Sequence, residues 1–146
     1  MFCVLFRQLS ALTVAIIFLG WLSPIAFASV SVRIDVSSQT MTVAINGNYY
    51  ATWKVSTARS GYYTPRGAYR PYLLKRMHYS SKYDNSPMPH SIFFRGGYAI
   101  HGTEYLKSLG RPASHGCIRL APRNAARLYG IVRRYGMSKT KIRITN

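Results

Sequence analysis

Hydrophobic and polar residues alternate at a period of two along much of the chain after residue 29, and this pattern predicts strands. The alternation is regular from Val30 to Val36 and again from Lys141 to Ile144. Between these segments, Thr40 to Ile45 and Asn48 to Val55 flank Asn46-Gly47, two residues that accept the positive φ angles of a two-residue turn. This region therefore predicts a β-hairpin.

Three more strands are expected in the middle of the chain. They are Tyr69 to Met77, Ser91 to Phe94, and Tyr98 to Ile100, the last of which would carry His101 out at its end. With no repeat and no heptad run, the pattern predicts a mainly β domain of two sheets, arranged as a sandwich or barrel.

One segment, at about 122–135, has a helical pattern instead. Pro122 suits a first helical turn, apolar pairs such as Leu128-Tyr129 recur at helical spacing, and Gly136 offers a C-terminal stop. The arginines on the opposite face predict a solvated surface, so we expect one helix packed on the sheets.

The first 28 residues are typical of a secretory signal peptide. Arg7 supplies positive charge, Leu9 to Leu22 an apolar core, and Ala26-Phe27-Ala28 a cleavage site. An uncleaved membrane anchor is the alternative, because Leu9 to Phe27 is close to the spanning minimum of about 17 residues. Pro24 and the Ala-x-Ala ending favour cleavage, which predicts an exported protein of the periplasm or cell envelope.

Residues 29–146 would then form one domain with Cys117 as their single cysteine, since Cys3 leaves with the signal peptide. An unpaired thiol in an oxidising compartment is a candidate reactive group. One cysteine and scattered histidines do not make a zinc site, so we expect neither a metal nor another cofactor.

The surroundings of Cys117 are those of a thiol nucleophile. A thiolate needs a nearby base, which either His101 or His115 could supply, and spacing alone does not separate the two histidines. Gly116 permits an unusual backbone conformation, and the guanidinium of Arg119 could hold a carboxylate through two hydrogen bonds.

His101-Gly102-Thr103 followed by Ser114-His115-Gly116-Cys117-Ile118-Arg119 resembles the signature of the L,D-transpeptidase catalytic domain, also called the YkuD domain. Other segments resemble ones usual in that family, and together they cover nearly all of the chain after residue 30. These are Ser37 to Met41, Val55 to Arg59, Tyr62 to Gly67 and Ile92 to Gly97.

The resemblance implies an exported cysteine enzyme of peptidoglycan maturation with the fold expected above. Carried over by position, Cys117 is the nucleophile and His101 the general base and acid, oriented by the Gly102 carbonyl. Backbone N–H groups around Gly116 and Cys117 would stabilise the oxyanion.

The same resemblance gives His115 and Arg119 a role in supporting the pocket and binding substrate, and Ser114 a role in positioning the loop. The substrate would be a tetrapeptide stem, attacked at the L-centre of diaminopimelate with loss of D-alanine. The acyl group would pass to a diaminopimelate amine, a lipoprotein lysine or water, and the last acceptor would make the enzyme a carboxypeptidase. A non-catalytic wall-binding protein and a general cysteine peptidase are the alternatives.

The charge is strongly positive, with 20 Lys and Arg against three acids and a formal net charge of +17. Charge alone would suit a nucleic-acid or membrane-surface binder, or merely a well-dispersed secreted protein. Export and the lack of a recognised motif argue against nucleic acid, and a membrane contact is expected only if the signal segment is uncleaved. Anionic envelope polymers are the remaining partner, and the charge could replace a separate wall-binding module.

The aromatic residues between Tyr62 and Phe94 have two interpretations, a groove wall for substrate or ordinary packing on the sheets. His78, His90 and the turn Asp84 to Pro87 are expected in a surface loop over the site, where they could form a lid.

Overall fold

The computed structural model describes residues 28–146, which fold into two β-sheets with one α-helix packed against them. The predicted signal peptide lies outside the described residues, apart from Ala28. Within those residues, no helix combines the length and hydropathy needed to cross a membrane. The elements are β1 Val30–Asp35, β2 Thr40–Ile45, β3 Asn48–Lys54, β4 Gly67–Tyr69, β5 Leu73–Ser80, β6 Ser86–Arg95, β7 Tyr98–Gly102, β8 Ile118–Leu120, α1 Pro122–Tyr135 and β9 Thr140–Thr145.

The first sheet has five strands in the order β3-β2-β1-β9-β4. The two central strands, β1 and β9, are parallel, and the other pairs are antiparallel. The inward residues of β1 and β9 are buried at every second position, as the alternating sequence predicts. The predicted hairpin is confirmed, because Asn46 and Gly47 have φ angles of 52° and 80° and connect β2 to β3.

The second sheet has four strands in the order β5-β6-β7-β8, with β7 and β8 parallel. Helix α1 begins at Pro122 and ends before Gly136, as predicted. Its buried residues, Ala125, Leu128 and Val132, join inward side chains of both sheets in one apolar cluster. The predicted fold, mainly β with two sheets and one packed helix, is confirmed.

The prediction of one strand from Tyr69 to Met77 is wrong, because this segment passes from one sheet to the other. Strand β4 ends at Tyr69 in the first sheet, and β5 begins at Leu73 in the second. Buried Pro71 lies between them and lacks the N–H that a continuous strand would need.

The expected loop over the site is also shorter than predicted. His78 and His90 lie within β5 and β6, which pair as a hairpin, and only residues 81–85 form the turn. Strand pairing in this hairpin therefore includes Ser86 and Pro87, which were expected in the turn. Strand β8, which has only three residues, was not predicted.

Candidate active site

The pairing of β7 with β8 brings the two halves of the sequence signature together. In this parallel pair, Ile100 lies opposite Ile118 and His101 opposite Arg119. Cys117 immediately precedes β8 and therefore lies diagonally across from His101 on the same face of the sheet. A cavity of about 570 Å³ opens over this face, and the predicted site residues that line it are His101, Ser114, His115, Cys117 and Arg119.

The ring of His101 is buried and held in one orientation. Its Nδ1 lies 2.7 Å from the carbonyl oxygen of Gly102. Because a carbonyl only accepts hydrogen bonds, Nδ1 carries the proton and Nε2 has its lone pair available. Burial lowers the pKa of His101 to about 4, despite the opposing effect of the Gly102 bond. The imidazole is therefore neutral at pH 7.

Cys117 is half-buried and packs beside Met88, Phe93 and Ala99. Burial raises the pKa of its thiol, whereas the Ala99 backbone N–H and the positive charge of Arg119 act in the opposite direction. Its Sγ lies 3.8 Å from the carbonyl oxygen of Gly97. The resting pair is thus a thiol and a neutral imidazole, and a thiolate would form as the proton moves.

Ser114 fixes the turn that carries the cysteine. Its hydroxyl donates to the carbonyl oxygen of Cys117 at 2.6 Å and accepts the N–H of Gly116 at 3.0 Å. This arrangement bears on the positioning role that the family resemblance gave Ser114. It also changes the expectation for Gly116, whose N–H is already engaged and would have to leave Ser114 before it could donate to an oxyanion.

Gly116 is a position that only glycine fits. Its φ is +130°, and a Cβ there would lie 2.6 Å from the Tyr98 ring and 2.8 Å from the carbonyl oxygen of Tyr63. Its own carbonyl accepts a hydrogen bond from the Thr64 hydroxyl at 2.9 Å. Buried Thr64 also accepts the N–H of Ala58, so it ties the cysteine turn to a neighbouring segment.

That segment, residues 55–64, supports the cysteine turn from the side. Ser56 bridges to Arg119, and the carbonyl of Thr57 accepts the N–H groups of Ala113 and Ser114 at 2.9 Å. Thr57 is held in turn by the Gln39 side chain through two hydrogen bonds. Three of the segments that resemble the family, which contain Gln39, Thr57 and Thr64, therefore act together to position the turn that carries Cys117.

His115 lies in an aromatic wall of the cavity, in surroundings unlike those of His101. Its ring stacks on Tyr83 at 4.3 Å and meets Tyr62 edge-on at 4.6 Å. Arg59 lies over Tyr62, and Lys82 lies over Tyr83, at 4.9 and 5.6 Å from the ring centres. Burial lowers the pKa of His115, and these cations add to the effect.

Both interpretations of the aromatic residues hold, for different members. Tyr83 lines the cavity and Tyr62 contacts the cavity residue His115, whereas Tyr69 packs on Phe94 and Tyr72 on Phe93. The sequence placed Tyr83 among the aromatic candidates and Thr64 in a family-like segment, but it did not predict the contacts that these two residues make. Nothing in the local pattern marks them, because each acts on a residue more than thirty positions away.

Arg119 projects into the cavity beside the candidate nucleophile. It is half-buried, and its Nη1 lies 3.4 Å from the carbonyl oxygen of Ala113. His78 and His90 line the same cavity from the hairpin, with His78 against the Phe93 ring and His90 against the Tyr129 ring. The site thus combines a thiol, a neutral base and a cation in one pocket.

Comparison with known proteins agrees with this arrangement. The family model described as the L,D-transpeptidase catalytic domain, YkuD, matches residues 29–144. The YkuD protein of Bacillus subtilis (strain 168) is 25% identical over 105 residues, which cover 69% of this chain and 59% of that protein.

Solved structures give the same result. An L,D-transpeptidase from Stackebrandtia nassauensis has a TM-score of 0.71 and 26% identity, covering 81% of this chain and 56% of that one. An L,D-transpeptidase from Mycobacterium smegmatis shares the fold, with a TM-score of 0.73, 22% identity and coverage of 82% and 59%. L,D-transpeptidase 3 from Mycobacterium tuberculosis, in complex with a faropenem-derived adduct, has a TM-score of 0.71, 22% identity and coverage of 82% and 61%.

The chain therefore spans less than two thirds of each of these relatives, and the matched part is the catalytic domain. With a family model that covers nearly all of its described residues, the protein belongs to the L,D-transpeptidase catalytic domain (YkuD) family.

Proposed function

We propose that the protein is an L,D-transpeptidase of peptidoglycan with Cys117 as its nucleophile and His101 as its base. The observation that carries this proposal is the state of His101. It is a buried, neutral ring whose Nδ1–H donates to Gly102, on the same cavity face as the Cys117 thiol. A ring held in this way presents Nε2 as a proton acceptor.

In the first half-reaction, Nε2 of His101 takes the Cys117 proton as Sγ attacks the L-centre carbonyl of diaminopimelate in a tetrapeptide stem. The C–S bond forms, and the carbonyl oxygen becomes an oxyanion. When the tetrahedral intermediate collapses, the C–N bond to D-alanine breaks, and His101 returns the proton to the departing amine. A thioester on Cys117 remains.

In the second half-reaction, an amine attacks the thioester while His101 removes its proton. The C–S bond breaks, the new amide forms, and the proton returns to Cys117. A diaminopimelate amine gives a cross-link, and a lipoprotein lysine gives a protein anchor. Water in the same position would give a carboxypeptidase.

The electrostatics favour proton transfer during attack over a resting ion pair. The positive charge of Arg119 stabilises a thiolate at Cys117 and destabilises an imidazolium at His101. A transient thiolate is therefore supported, whereas a long-lived imidazolium is not. For the oxyanion, the N–H of Cys117 is our preferred donor, because that of Gly116 is engaged by Ser114.

The cavity wall suits a substrate that carries carboxylates. Arg119 and Lys82 line the cavity, and the charge of Arg59 also acts on the cavity residue His115. Stem peptides have several carboxylates, which bind favourably to guanidinium and ammonium groups. We assign His115 and Arg119 to substrate binding, and we place the enzyme in the periplasm or cell envelope, where its substrate occurs.

The test is intact-protein mass spectrometry of residues 29–146 with a disaccharide-tetrapeptide that contains diaminopimelate, alongside Cys117→Ala. We expect a thioester adduct, loss of D-alanine and a cross-linked dimer, all absent from the variant. A tripeptide product without dimer would instead identify water as the acceptor.

A second arm uses faropenem, because a relative was solved with an adduct derived from it. A covalent adduct that maps to Cys117, at a rate lowered by His101→Gln, is expected. A folded protein that forms neither adduct would overturn the proposal in favour of a non-catalytic wall-binding protein.

A further inference from the structure

A second hollow lies on the outer face of the five-stranded sheet, over β1, β9 and β4. Its volume is about 510 Å³. The exposed residues that line it are Ser31, Arg33, Ala68, Arg70, Lys141 and Arg143. The active-site cavity is lined by the hairpin β5–β6 and the β7 and β8 region, so this hollow is a separate feature.

The register of the strands explains why the hollow exists. Arg33 lies directly opposite Arg143, which on its other side faces Ala68, and Lys141 lies opposite Ser31. Small side chains thus alternate with long cationic ones on neighbouring strands. The small residues leave a depression, and the cations surround it.

The charges around the hollow repel one another. Arg33 and Arg143 are like charges directly across a strand pair, an arrangement that costs stability unless an anion lies between them. Asp35 follows Arg33 on the same face, but its carboxylate accepts hydrogen bonds from the Ser37 hydroxyl and the Ser38 N–H.

The other two acids lie elsewhere. Asp84 is in the β5–β6 turn, and Glu104 lines the active-site cavity. The hollow thus presents four cations with one neighbouring carboxylate, and that carboxylate is engaged in its own turn. This charge distribution complements an anionic ligand.

We propose that this hollow binds the phosphate groups of a phosphodiester-linked anionic polymer. Under the proposed function, such binding would hold the enzyme close to its peptidoglycan substrate. Three of the four cations are arginines, whose guanidinium groups match phosphate through paired hydrogen bonds. Arg143 and Lys141 follow one another on the same face of β9, about 6 to 7 Å apart, so they can meet successive phosphates of an extended chain.

The lining also distinguishes this ligand from other polyanions. The hollow has little apolar or aromatic surface, because among the described residues that line it Tyr69 is half-buried against Phe94 and Ile142 is buried. Amphipathic helices add inserted apolar residues to their basic ones when they bind membranes, and proteins that bind single-stranded nucleic acids add stacked aromatic side chains to a basic groove. A polymer recognised by its phosphates alone fits the hollow better than either.

The test measures binding of the full 146-residue chain to synthetic poly(glycerol phosphate) by titration calorimetry at several salt concentrations. The variant is R33Q/R143Q, and the matched control is R127Q/R134Q, which removes the same charge from the exposed face of α1. We expect the hollow variant to bind at least about tenfold more weakly, with a smaller salt dependence, because two charge-assisted contacts are lost. The helix variant should bind nearly as the parent does.

Equal losses in both variants would mean that net charge alone attracts the polymer, and would overturn the proposal. Equal or tighter binding to phosphatidylglycerol vesicles or to single-stranded DNA, lost in the hollow variant, would replace the polymer with that ligand. The faropenem reaction at Cys117 should be unchanged in R33Q/R143Q. This readout keeps failure of the hollow distinct from failure of the proposed chemistry, and circular dichroism confirms that each variant folds.

Discussion

The two sheets of this domain are built from sequences of different kinds. In the five-stranded sheet, buried residues occupy every second position of β1 and β9, and all of them except Thr140 are aliphatic. In the four-stranded sheet, β6 and β7 carry runs of four buried residues, and these runs include the polar side chains of Ser91 and His101. One sheet is a regular scaffold, whereas the other holds the cavity and its chemistry.

This difference shows which part of the domain contains most of the buried polar groups. Six of its buried polar residues lie in the site or in the segment that supports it, and each is hydrogen-bonded to a partner nearby or lines the cavity. They are Ser56, Thr57, Thr64, His101, Thr103 and Ser114. Burial of such groups is costly unless they are bonded, so the apolar scaffold must supply the stability that the site does not.

We expect the largest effect on the reaction rate from replacing His101 or His115, the two histidines between which sequence spacing could not choose the base. We expect His101→Gln to lower the rate of D-alanine release by about a thousandfold, because general base catalysis is lost. His115→Gln should lower it by less than about tenfold, since that ring forms cavity wall. Steady-state assays of the two variants decide this, and a larger loss for His115→Gln would exchange their roles.

A core change in the scaffold should affect stability and leave the chemistry intact. Ile34→Ala removes a fully buried side chain of β1 and should lower the free energy of unfolding by about 2 to 5 kcal/mol. Urea denaturation measures this loss. The rate of faropenem acylation per folded molecule should stay the same, and a marked fall would show that the two sheets are mechanically coupled.

The stability of the site should depend on pH in a direction that His101 sets. Burial lowers its pKa to about 4 from an ordinary value of 6.5. Between these values the unfolded chain binds a proton that the folded one does not, so stability is lost as pH falls through this window. The contribution is up to about 3 kcal/mol.

Denaturation at pH 7 and pH 4.5, with the parent and His101→Gln compared, isolates this contribution. The variant should lose less stability than the parent on acidification. Equal pH dependence in both proteins would show that His101 titrates normally in the folded state, and would remove the basis for its neutral resting form.

The same contrast explains what the sequence could predict. Strands β1, β2 and β9 and helix α1 follow from local periodicity, because each is amphipathic by itself, whereas β3 was predicted from the Asn46-Gly47 turn. The roles of Cys117 and His101 remain predictions from the signature, but the structure does bring both residues to one cavity.

What escaped prediction depends on contacts between distant segments. The Thr64 contact with Gly116 and the stack of Tyr83 on His115 arise only when the fold assembles. Likewise, β8 forms only because β7 lies beside it. A periodicity of two says nothing about such pairings, whereas it fully specifies which face of β1 is buried.

The smallest effect tests whether the site responds to the stability of the scaffold at all. Gly130 lies on the exposed side of α1, and a Cβ there would have no neighbour within 4 Å. Gly130→Ala should therefore raise the free energy of unfolding by about 0.5 to 1 kcal/mol, because alanine favours a helix and restricts the unfolded chain. Because α1 packs on both sheets, a general increase in rigidity would be transmitted to the cavity through the helix. We expect thermal denaturation to show the gain while the faropenem rate stays constant, and a changed rate would mean that the helix transmits strain to the cysteine turn.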